Sequence, residues 1–156
     1  MRPWRISTSI LALLIFALGR APALAGDSLV GTVRDVKSAD LVTLDYGAGS
    51  YPIRLAGIEV PREGPIAQQA RDFVVRLVLG KQARMRFEGR NEQGEMVSIL
   101  LTADPAPGIK NVNLELVRAG LARRQKGYDF KYGELAAAER EAQEKRLGVW
   151  ATGQAQ

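Results

Sequence analysis

The strongest constraint on the fold is a run of short β-rich segments broken by glycine and by one stretch of helical spacing. Leu29 to Val36 and Leu41 to Leu44 are rich in β-branched residues, and Tyr51 to Ile58 begins by alternating apolar and polar side chains. Gly47-Ala48-Gly49-Ser50 reads as the turn joining the second segment to the third. A helix then follows from Pro65. Ile66, Ala70, Phe73, Val74 and Leu77 share one face, and Gly80 is placed to end it. Two more strands, Gln82 to Glu88 and Met96 to Leu101, are joined through Gly89 to Gly94. Asp104 to Gly108 is a loop.

The last third is helical. Asn111 or Asn113 can cap a short helix that runs through Leu114, Leu116 and Val117 to Gly120. A longer helix is predicted from about Gly133 to Arg146, with Leu135, Ala138 and Ala142 inward and Glu141–Lys145 as an i,i+4 pair. Gly148-Val149-Trp150 ends it, with Trp150 packed back on the barrel. Five strands, a helix between the third and fourth, and two helices at the end suit an α+β, mainly β, five-stranded OB-fold barrel with about three helices.

Residues 1–25 are set apart from that domain. Arg2 and Arg5 precede the continuous apolar run Ile10 to Leu18, and Ala21-Pro22-Ala23-Leu24-Ala25 supplies small residues before Gly26. That is the three-part pattern of a secretory signal peptide. The run is shorter than the ~20 residues that span a bilayer, so no stable membrane anchor is expected after cleavage. The expected destination is a bacterial periplasm or the medium, and residues 26–156 form one domain, expected to be a monomer.

Arg2, Arg5 and Arg20 fall in the leader, and none of the 17 acids does, so the whole-chain charge of +5 overstates the charge of residues 26–156. Nucleic-acid binding therefore cannot be argued from net charge, and any basic patch is local. The chain has no histidine and no cysteine. Imidazole catalysis, thiol chemistry, disulfides and His or Cys metal ligation are excluded. Carboxylates, arginines or an oxygen-bound metal must carry any chemistry.

Four stretches carry a resemblance: Val36-Lys37-Ser38-Ala39-Asp40-Leu41-Val42; Ile53-Arg54-Leu55-Ala56-Gly57-Ile58-Glu59-Val60-Pro61; Asn111 through Ala122; and Tyr132 through Gly148-Val149-Trp150. In this order and spacing the chain resembles the staphylococcal nuclease family from about Val30 to Trp150. The resemblance implies calcium-assisted phosphodiester hydrolysis. Two carboxylates and a carbonyl hold the cation, which acts as a Lewis acid. Two arginines stabilise charge on phosphate, and a glutamate activates water.

Carried over by position, Asp40 falls on a metal aspartate, Glu59 replaces the other, and the Val60 carbonyl completes the metal set. Arg54 falls on the first phosphate arginine. Pro61-Arg62 stands where the family has Pro-Glu, so a cation replaces the water-activating glutamate, and Glu63, one residue on, substitutes only if the loop shifts. Gln93-Gly94-Glu95 replaces Tyr-Gly-Arg and brings a carboxylate to the second arginine's position. A general base contributes roughly 10²–10⁴ in rate and one charge-stabilising donor roughly 10²–10³, so these departures predict a feeble or inactive nuclease.

Plainer readings stand beside these. Asp40 suits a turn acid, and Glu59 and Arg54 suit a salt bridge between neighbouring sheet positions. Arg54 and Arg62 also suit an anion pocket. Arg124, Lys126 and Tyr128 lie in the one basic stretch with interleaved aromatics, Arg123 to Tyr132, which suits stacking bases along a phosphate backbone or an ordinary charged loop. The expected role is a binding module for nucleic acid, another anionic polymer or a protein partner. The alternative is a slow calcium-dependent nuclease using Asp40, Glu59 and Arg54 with Glu63 as base.

Overall fold

The computed structural model describes residues 28–103, 108–131 and 133–151. Residues 1–27, where the expected leader falls, residues 104–107, Tyr132 and residues 152–156 lie outside them. Among the described residues the strands are β1 (Ser28–Ser38), β2 (Leu41–Tyr46), β3 (Gly49–Leu55), β4 (Ile58–Glu59), β5 (Gln82–Arg90), β6 (Met96–Thr102) and β7 (Arg123–Arg124). The helices are α1 (Gly64–Val78), α2 (Val112–Arg118) and α3 (Glu134–Glu144), followed by a 3-10 turn at Gly148–Trp150.

Five strands close into a barrel in the order β1-β2-β3-β6-β5. Antiparallel ladders join β1 to β2, β2 to β3, β5 to β6 and β1 to β5. The seam between β3 and β6 is parallel, pairing Arg54 with Val97 and Leu55 with Ser98. The expected five-stranded barrel is therefore the observed one. Its interior follows from period-two alternation, broken once on β1 by a register shift between Val33 and Asp35 that turns Val36 inward as well: Val33, Val36, Val42, Leu44, Ile53 and Met85 are at most 1% exposed.

The sequence misses the two-residue ladder of β4 on β7, which pairs Ile58 with Arg124 and Glu59 with Arg123. The third β segment therefore does not run straight from Tyr51 to Ile58. It breaks at Ala56-Gly57, and β4 leaves the barrel to meet β7.

Helix α1 buries Ala70, Val74 and Val78, with Ile66, Phe73 and Leu77 half-buried against the same core. Each fully buried valine contributes on the order of 1.5–3 kcal/mol. The two asparagines divide their roles. The Asn111 side chain accepts from Leu114 N at 3.2 Å and caps α2. Asn113 is instead wholly buried: its Oδ1 accepts from Leu100 N (3.1 Å), and its amide donates to the Ala56 carbonyl (2.9 Å) and the Ser98 carbonyl (3.3 Å). One side chain thereby ties α2 to β6 and to the bend after β3.

Helix α3 buries Leu135, Ala138 and Ala142, and Lys145 Nζ meets Glu141 Oε1 at 2.6 Å, both as expected. The 3-10 turn docks by a bond from Val149 N to the Gly120 carbonyl (2.9 Å). A Cβ on Gly148 would sit 2.0 Å from that carbonyl oxygen, so only glycine fits the junction. Trp150 lies under the Arg123 guanidinium, 4.8 Å from its carbon to the ring centroid.

Candidate functional site

Asp40 ends the tight turn between β1 and β2 and is 7% exposed. Burial opposes its negative charge, yet both carboxylate oxygens have donors. Oδ1 accepts from Ser38 Oγ at 2.6 Å and Oδ2 from Arg54 Nη1 at 2.8 Å. Desolvation is the largest influence on Asp40 and pushes its pKa up. The Ser38 hydroxyl, Arg54 and the nearby charge of Arg62 together outweigh it and hold the group below the ordinary carboxylate value.

Arg54 comes from β3, opposite Leu41 of β2 and beside Val97 of β6. Its other edge meets Glu95 in a two-pronged contact, Nε to Oε2 at 3.0 Å and Nη2 to Oε1 at 3.1 Å. Glu95 stands at the end of the β5–β6 turn. Asn91 fixes it by donating to Oε2 (2.7 Å) and accepting from the Glu95 backbone N–H (2.9 Å). The Asn91 bond and then Arg54 lower the Glu95 pKa. Arg54 is itself half-buried. Its burial disfavours the charge, but the bonds to Asp40 and Glu95 prevail and raise its pKa further.

The expected salt bridge between Arg54 and Glu59 is thus replaced. Arg54 pairs with Asp40 at 2.8 Å and Glu95 at 2.9 Å, whereas Glu59 leaves the barrel on β4 and is exposed. The sequence places Glu95 in the cleft without showing its partner, since 41 residues separate it from Arg54. The Asn91 to Glu95 spacing across a glycine turn is the one local signal for that clamp.

A groove of about 550 Å³ gathers Asp40, Arg54, Glu59, Arg62, Glu95 and Tyr128. Tyr128 lies over Gly57, where a Cβ would come within 2.1 Å of its ring and where φ is +71°. Burial, then the Glu88 carboxylate, raises the Tyr128 pKa, so the phenol stays protonated at neutral pH and can donate. A second cleft of about 390 Å³ opens on the α1 side of Asp40 and takes in Val60, Arg62 and Glu63. Arg62 and Asp40 are shared by both.

Two residues of the basic stretch stand apart from the groove. Arg124 is held by its own surroundings: its backbone N–H donates to Glu139 Oε1 (2.8 Å), Nη1 donates to the Tyr128 carbonyl (3.1 Å), and Nε lies 3.6 Å from Glu139 Oε2. Lys126 is exposed on the turn before Tyr128.

A calcium ion takes six to eight oxygen ligands. Here Asp40 has each oxygen already bonded to a donor, and Glu59 is exposed on a different element. Among the described residues no three carboxylates converge to hold a metal. Arg54 supplies the positive charge at Asp40 that a cation would otherwise bring. Asp40, Glu59 and the Val60 carbonyl would hold calcium only once Arg54 leaves Asp40.

The fold, the site positions and the motif order converge on one family. A family model described as staphylococcal nuclease homologue matches residues 52–152. The chain belongs to that family. The matched span includes Arg54, Glu59, Arg62 and Glu95 and begins after Asp40.

Relatives carry the same nuclease description. The chain is 31% identical over 124 residues to an uncharacterized endonuclease of Haemophilus influenzae, covering 77% of this chain and 66% of that protein. It is 30% identical over 118 residues to a probable endonuclease of Schizophyllum commune, covering 65% and 40%. It is 32% identical over 106 residues to a staphylococcal-like nuclease of Arabidopsis thaliana, covering 67% and 31%. The chain thus spans from about two thirds to about one third of these relatives' own lengths.

Proposed function

We propose that this chain is a nuclease-fold binding module that takes a nucleic-acid strand, or another anionic polymer, and hydrolyses it slowly or not at all. The observation that carries the reading is the Arg54 clamp. The arginine that would meet phosphate and the aspartate that would meet metal neutralise each other, and Glu95 closes the other edge. Arg62 at the water-activating position removes the base, and Glu63 lines the α1-side cleft instead of the groove. Tyr128 and Arg62 remain along the groove as a stacking face and a cation.

The test is hydrolysis of single- and double-stranded DNA by the purified domain, with calcium and with chelator. The expected result is no calcium-dependent turnover, with retained binding of a short oligonucleotide. Calcium-dependent cleavage lost in Asp40→Ala would overturn the reading. Capture of a protein with no oligonucleotide affinity would move the role to protein binding.

A calcium-dependent nuclease is the second reading. It is favoured by the gathering of Asp40, Arg54 and Glu59 along one groove and by the endonuclease descriptions of the relatives. It requires calcium to displace Arg54 from Asp40. Export with cleavage before Gly26, to a periplasm or the medium, and a monomeric state belong to the same proposal. N-terminal sequencing of the cell-derived protein and its mass in solution test them.

A further inference from the structure

We propose that the cleft between the β1–β2 turn and the start of α1 is a second, separate phosphate-binding site, held by Lys37, Arg62 and Arg71. It is distinct from the groove of Arg54 and Glu95 and touches it only through Asp40 and Arg62.

Three cations line this cleft against two carboxylates, Asp40 and Glu63. Asp40 already has Arg54 as its partner at 2.8 Å. Arg54 is shared with Glu95, so that cluster keeps one net negative charge beside Arg62; with Glu63 also opposing, the three cations leave the cleft modestly positive. Among the described residues no ion pair engages the side chains of Lys37 or Arg62. Both are exposed at the mouth.

Arg71 is prepared differently. It is half-buried on α1, and its Nε donates to the Val36 carbonyl at 3.0 Å. That bond fixes the plane of the guanidinium and uses one donor, leaving the Nη atoms for another acceptor. A fixed planar fork loses little entropy on meeting phosphate oxygens. Lys37 then acts as a mobile point charge, and Ser38 lines the same wall.

A volume of about 390 Å³ admits a phosphate with an attached sugar. Because Arg62 borders both spaces, a strand lying in the groove can place its next phosphate here. The ligand chemistry is a phosphate group, carried on a nucleic-acid strand or free in solution. Only the strand source rests on the binding reading given above; the cleft itself does not depend on it.

The experiment is a titration of the ¹⁵N-labelled domain with inorganic phosphate and, separately, with a 5′-phosphorylated thymidine tetranucleotide, followed at Lys37, Arg62 and Arg71. Both probes are expected to shift these signals. Lys37→Glu, a change at an exposed site, should weaken phosphate affinity at least about tenfold. Glu63→Gln should strengthen it, and the salt dependence of tetranucleotide binding should fall by roughly one contact in Lys37→Glu.

If phosphate shifts none of the three signals, or if Lys37→Glu and Glu63→Gln leave both affinities unchanged, the cleft is overturned. Tetranucleotide binding and phosphate affinity that both persist unchanged in Lys37→Glu would sink the cleft while sparing the groove. Phosphate binding without any tetranucleotide binding would keep the cleft, assign free phosphate as its source, and retire the polymer-binding role.

Discussion

Arg54 and Glu95 face each other edge-on through parallel hydrogen bonds of 3.0 and 3.1 Å, across 41 residues of chain. The contact takes a phosphate-recognising fork and satisfies it internally. A ligand phosphate must displace a bidentate carboxylate that is already in place. That competition, more than the missing base alone, is why the groove suits binding along its rim better than hydrolysis at its centre.

Removing Arg54 should cost more than removing Glu95. Arg54→Ala leaves Asp40, 7% exposed, with the Ser38 hydroxyl as its remaining side-chain donor, and is expected to cost about 2 kcal/mol. Glu95→Gln keeps the shape and one acceptor and should cost about 1 kcal/mol or less. Urea unfolding of both variants and their double mutant checks the order and the coupling.

Restoring the family's charges should restore chemistry. Arg62→Glu with Glu95→Arg supplies a base and frees the phosphate end of the groove, and calcium-dependent cleavage is expected to rise about 10²-fold or more. A supercoiled-plasmid nicking assay reads this. Loss of a pre-existing activity in Glu63→Gln alone would instead support the nuclease reading.

Acid should weaken the domain through the same cluster. Asp40 and Glu95 have folded pKa values below their ordinary 3.8 and 4.5. The unfolded chain therefore binds more protons in that range, and stability rises with pH there. Their contribution is complete above about pH 5 and is lost as pH falls through the folded values. Urea midpoints between pH 2 and 5 should show a shallower slope in Asp40→Asn/Glu95→Gln than in the wild type. Between pH 5 and 8 the curve should stay nearly flat, since the chain has no histidine.

Asn113 should outweigh Asn111. Asn113→Ala strips partners from the Leu100 N–H and from the Ala56 and Ser98 carbonyls, and is expected to cost roughly 2–4 kcal/mol. Asn111→Ala removes a cap on α2 and should cost about 1 kcal/mol. Thermal unfolding of the two variants separates a barrel tie from a helix cap.

Local signals carried most of the architecture. The alternation through Val42 and Leu44, the α1 face around Ala70 and Val74, and the inward row Leu135–Ala138–Ala142 each act within a few residues. They are legible because side-chain period alone decides them. The β4–β7 ladder was not, since two-residue strands have no period. The Arg54–Glu95 clamp and the Asn113 tie escaped for a different reason. Both join residues far apart in sequence, and a charge or an amide on its own does not disclose its partner. Motif order singles out Asp40, Arg54, Glu59 and Arg62, and these four line one groove. Their electrostatic state was not legible.

The barrel closes on a parallel seam, where Ile53, Arg54 and Leu55 meet Met96, Val97 and Ser98. A nascent chain that ends at Arg90 holds β1, β2, β3 and β5, yet only β2 lies beside β3, and its other edge has no partner. Closure waits for the strand after Glu95, and non-local pairing of this kind is slow. Until then Arg54 has Asp40 within reach and lacks Glu95. Its capture by Glu95 coincides with the last joint of the barrel, so the same step that completes the fold also silences the arginine.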